Sequence, residues 1–68
     1  MENYQVICML LCLTLRETRQ YSDLESLDYA KKGEGRYVIA RFVNGGYRKI
    51  NVTADSGIAM IKDILKYL

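Results

Sequence analysis

The chain has 68 residues, half of them hydrophobic and about a quarter charged, with neither proline nor histidine. That length holds one domain, 1–68, close to the lower limit for burying a sufficient core without a disulfide or metal staple, and the composition excludes a disordered chain. A net charge of +2 is too small to argue for nucleic acid by itself. The lack of histidine removes the commonest general base and the commonest metal ligand together, so no zinc chemistry, ordinary hydrolase mechanism or cofactor is expected.

From Asn3 to about Thr18 the chain is rich in Leu, Met and Cys and poor in β-branched residues, which predicts an α-helix. Its expected core stripe is Ile7, Leu10, Leu11 and Thr14, widened by Val6, Met9 and Leu13. So wide a stripe implies either wrapping by other elements or a patch that pairs with another molecule. The uninterrupted apolar run is only Val6 to Leu13, short of the roughly 18 residues that span a bilayer. The opening Met1-Glu2-Asn3 lacks a positive n-region, and a cytoplasmic protein is expected. Cys8 and Cys12 read as reduced, buried thiols that pack as small hydrophobes.

The next segment reads in two ways. Ser22-Asp23-Leu24-Glu25 matches the S-x-x-E capping box, which would make 23–32 a short helix closed by Gly33. Alternatively, Leu27 to Lys31 alternates as a strand with Leu27 and Tyr29 on one face. The strand is preferred, because a two-stranded hairpin alone is marginally stable and a third strand gives the helices a sheet to cover.

Arg36 to Thr53 carries the clearest local signal, two β-favouring runs around Asn44-Gly45-Gly46. Tight hairpin loops need positive φ, which these residues supply at little cost. A three-residue loop of Asn44, Gly45 and Gly46 pairs Val38 with Val52 and Ala40 with Ile50, and turns Tyr37, Ile39, Arg41, Tyr47, Lys49 and Asn51 outward. A two-residue loop would exchange the faces. The first register is preferred for its apolar inner face. In the last segment, Asp55 is the expected N-cap of a helix whose stripe is Ile58, Ile61, Leu65 and Leu68, with Ile64 beside it.

The expected architecture is therefore α+β, in the order α-β-β-β-α, with a three-stranded antiparallel sheet covered on one face by two helices. Its outer face would gather Tyr37, Tyr47, Arg41 and Lys49. Bases stack on such rings and phosphates pair with such cations, the usual way a sheet holds single-stranded nucleic acid. In the preferred register Arg41 and Lys49 face each other, a repulsion that a bound anion or a nearby carboxylate would relieve. Lys31, Lys32 and Arg36, with Arg16 and Arg19 at the end of the first helix, form a second basic group that helix-end electrostatics also explains. Asp23, Glu25 and Asp28 are the carboxylates closest in sequence, but no spacing pairs them in one cleft. An enzyme is not expected.

The element order over the full length resembles the double-stranded RNA-binding domain. That family opens its second helix with S-K-K-x-A-K; here the corresponding residues are Asp55-Ser56-Gly57-Ile58-Ala59, so its phosphate site is not carried over. The stretch Ile50-Asn51-Val52-Thr53-Ala54-Asp55-Ser56-Gly57-Ile58-Ala59-Met60-Ile61 resembles small uncharacterised proteins of bacterial mobile elements, which implies an accessory role near DNA or a transfer complex. The sequence thus points to a small non-enzymatic binding module with a nucleic-acid partner through Tyr37, Arg41, Tyr47 and Lys49. The alternative partner is another protein, or a second copy of the chain, docking on the first helix around Met9 and Leu13. No membrane partner is expected.

Overall fold

A computed structural model of the chain describes residues 3–53 and 55–68. Asn3 caps the first helix, its side-chain oxygen accepting from the Val6 N–H at 3.2 Å, and α1 then runs over Tyr4–Arg16. Three antiparallel strands follow, β1 (Leu24–Lys32), β2 (Gly35–Phe42) and β3 (Tyr47–Asn51), and α2 (Gly57–Tyr67) closes the chain. The sheet order is β1-β2-β3. The α+β order α-β-β-β-α is thus the expected one.

One cluster of buried side chains joins the helices to a single face of the sheet: Cys8, Cys12 and Leu15 from α1, Met60 and Ile64 from α2, and Leu24, Leu27, Val38, Ala40, Ile50 and Val52 beneath them. The strand reading of 23–32 holds, and the strand is longer than expected. The capping box is unused: the Ser22 hydroxyl donates to the Arg19 carbonyl in a turn, while Leu24 enters the core as a strand residue. A bulge at Glu25, where the register shifts between Leu24 and Ser26, keeps both Leu24 and Leu27 on the buried face.

Each helix brings only part of its expected stripe to the core. In α1 the sheet sees Cys8, Cys12 and Leu15; of the expected stripe, Ile7 and Leu11 pack half-buried against that core, whereas Leu10 and Thr14 are exposed. The helix is apolar almost all round, so periodicity does not select a face; the two small cysteines let its backbone approach β1 closely. In α2 the N-cap is Ser56, which accepts from the Ala59 N–H at 3.1 Å, not Asp55. Its buried line is Gly57, Met60 and Ile64; Ile64 and Leu68 reach the core as expected, but Ile58 and Leu65 are 74% and 50% exposed. A glycine at the contact leaves room for the helix to settle on that side.

The hairpin register also differs from the expected one. Val38 pairs with Ile50, Ala40 with Arg48 and Arg41 with Tyr47, so the loop is Val43-Asn44-Gly45, with Gly45 at φ 94°. Asn44 holds the turn by accepting from the Gly46 N–H at 2.9 Å. The shift is two residues, which preserves which side chains face the helices. Arg48 falls on the helix side and donates to the Leu68 carbonyl at 3.0 Å, tying β3 to the end of α2. Among the described residues, no helix is long and apolar enough to cross a membrane.

Candidate nucleic-acid interface

The strand pairings arrange the outer face as three rows of three: Ala30, Tyr37 and Asn51; Asp28, Ile39 and Lys49; Ser26, Arg41 and Tyr47. Both helices pack on the other face, so this one is open. Tyr37, Arg41, Tyr47 and Lys49 therefore share one surface around Ile39, as the alternation of the hairpin implies. Tyr47 is 71% exposed.

The expected opposition of Arg41 and Lys49 does not occur. The two-residue shift puts Arg41 across from Tyr47 and Lys49 across from Ile39, so the cations are diagonal neighbours and each has another companion. Arg41 Nε lies 3.8 Å from Asp28 Oδ2, a solvent-exposed pair worth at most about 1 kcal/mol. The Lys49 ammonium stands 4.5 Å from the centroid of the Tyr37 ring, worth about 0.5–1 kcal/mol at an exposed site. Asp28 also accepts from the Ser26 hydroxyl. Neither cation is buried or locked, and both can turn to a phosphate at little cost.

Beside the Arg41–Tyr47 row, at the hairpin end, lies a notch of about 130 Å³ lined by Glu25, Arg41, Phe42, Gly45, Gly46 and Tyr47. Sequence reasoning missed it, because it is made by the β1 bulge bringing Glu25 alongside a loop without side chains at Gly45 and Gly46. Of the second basic group, Lys32 lies on this face, two positions along β1 from Ala30 and paired with Gly35 beyond the Tyr37 row. Lys31 and Arg36 are cross-strand partners in the row beyond Tyr29 and Val38, on the helix side.

Met9 and Leu13, expected as the alternative contact residues, are 55% and 58% exposed on α1. They line the groove between α1 and β1 together with Ser26 and Asp28 of the outer rows, so this surface adjoins the sheet face along β1. The cysteine thiols are free and buried. Burial, aided by Asp28 and Cys12, pushes the Cys8 thiol up to about 11; burial also raises Cys12, partly offset by Arg16. Neutral thiols of this kind are poor nucleophiles. Among the described residues, no group of three or more His, Cys, Asp or Glu side chains is placed to hold a metal ion.

No family model, curated protein or solved structure matches the chain.

Proposed function

We propose that the protein is a small non-enzymatic binding module that holds single-stranded nucleic acid on the open face of its sheet. The observation that carries this reading is the clustering of Tyr37, Arg41, Tyr47 and Lys49 on one uncovered surface. In this reading Tyr47 stacks on a base, whose edge enters the notch beside it, and the Glu25 carboxylate accepts from an exocyclic amino group there. Arg41 leaves Asp28 for a phosphate. Lys49 takes the neighbouring phosphate, freeing the Tyr37 ring for a second base.

The topology resembles that of the double-stranded RNA-binding domain, but the start of α2 carries Asp55, Ser56 and Gly57 where that family has lysines. This favours the sheet face over the helix end and single strands over duplex. A cytoplasmic accessory role on a bacterial mobile element accords with this reading.

Binding of a fluorescent oligodeoxycytidine, whose N4 amino groups can donate to Glu25, and of a mixed-sequence oligonucleotide, followed by anisotropy across a salt series, tests the proposal. With two phosphates engaged, log affinity should fall against log salt with a slope of about −1.4, and Arg41→Ala or Lys49→Ala should each halve it. Tyr47→Ala should weaken binding about tenfold or more without changing the slope. No binding at low salt would refute the reading.

A further inference from the structure

We propose that α1 is a self-association helix, through which two copies of the chain pair antiparallel about a twofold axis between Met9 and Leu10. This goes beyond the nucleic-acid reading and does not rest on it. Val6, Met9, Leu10 and Leu13 are 45%, 55%, 60% and 58% exposed, and their spacing at positions i, i+3, i+4 and i+7 makes one continuous seam of the kind that pairs helices. From Tyr4 to Leu15 the helix carries no charged residue. A solvated helix face would carry charge here, because polar residues normally occupy the side away from the core.

The composition of the seam selects its occupant. Nucleic acid has no cation to meet there, and a membrane-surface helix needs a row of Lys or Arg beside its apolar side, whereas α1 has Arg16 alone. A second copy meets every requirement. An axis between Met9 and Leu10 sets Val6 of each copy against Leu13 of its partner and aligns the helix dipoles favourably. With no charge along the seam, nothing in one copy repels the other.

The areas agree. The four side chains offer on the order of 400 Å² of apolar surface per copy, comparable with the largest patch on a typical monomer. Flanking Gln5 and Arg16 bring the contact toward the roughly 600 Å² per partner at which specific interfaces begin. The described surface is 4879 Å², more than the roughly 4,400 Å² expected of a folded monomer of this mass. Beside the seam, a groove of about 190 Å³ between α1 and β1 is lined by the apolar Met9, Cys12, Leu13 and Leu27, with Arg16 and the two carboxylates of Glu25 and Asp28 at its polar rim. A cavity of about 150 Å³ accepts a benzene ring, so this one has room for a partner's methionine or leucine side chain.

Sedimentation equilibrium from low micromolar to millimolar protein tests the proposal. The mass should rise from one chain to two across that range, Leu10→Glu should hold it at one chain throughout, and Tyr47→Ala should leave the association unchanged. Leu10→Cys, oxidised at high concentration, should give an interchain disulfide because the two sulfurs meet near the axis, while Lys49→Cys should not. A single-chain mass at millimolar concentration, a dimer that survives Leu10→Glu, or no disulfide from Leu10→Cys would each overturn it.

Discussion

The backbone N–H of Tyr29 donates to Oε1 of Gln5 at 2.8 Å, linking β1 to a side chain of α1. β1 is an edge strand, and an unpaired edge invites another strand. Here α1 closes it: Gln5 takes the Tyr29 donor, and the Cys12 thiol reaches the Glu25 carbonyl at 3.8 Å. Gln5→Leu removes the acceptor and leaves a part-buried N–H unsatisfied, which should cost about 1–2 kcal/mol in urea unfolding. Gln5→Glu, keeping an acceptor, should recover most of it.

The hairpin depends on Gly45, whose φ of 94° is strained for any residue with a Cβ even though the space around it is open. Gly45→Ala should destabilise by about 1 kcal/mol or more. At Gly33, with φ 61°, Asn is well tolerated, and Gly33→Asn should stay within about 0.5 kcal/mol when thermal melts of the two variants are compared.

Ser56, not Asp55, caps α2. Ser56→Ala should therefore cost about 1 kcal/mol, and Asp55→Ala much less. Equal losses from the two would place the cap elsewhere.

How far these features were legible in the sequence follows from what each residue type can signal. Asn44 and Gly45 announced a hairpin, and strict alternation through Tyr37, Ile39 and Arg41 named the open face, because a two-residue slip leaves parity unchanged. Which residues stand opposite was not legible: the loop accommodates Val43-Asn44-Gly45 as readily as Asn44-Gly45-Gly46, and the Arg41–Asp28 pair depends on a strand whose bulge at Glu25 has no local signature. The helix faces were only partly legible, Ile7, Leu11, Ile64 and Leu68 reaching the core as expected, because α1 offers apolar residues in every direction and α2 offers two lines one position apart. Packing on the sheet chose between them.

Alkaline pH should expose the state of Cys8. Its thiol is raised from its ordinary 9.0 to about 11, so the folded chain holds a proton that the unfolded chain releases. The stability contributed by the neutral thiol is complete below about pH 9 and is lost as pH rises through about 11, by on the order of 2 kcal/mol. Urea midpoints at pH 8, 9.5 and 10.5 should fall in that order, and Cys8→Ala should flatten the fall while lowering stability at pH 8.

The most direct measurement is an NMR titration of the labelled protein with a short single-stranded oligonucleotide at low salt, following every backbone amide. The account predicts shifts centred on Tyr37, Arg41, Tyr47 and Lys49 in β2, β3 and the hairpin end, and reaching Glu25 and Asp28 in β1, with the amides of α1 unmoved. A spectrum without shifts, or shifts that map to α1 and leave the sheet untouched, would contradict it.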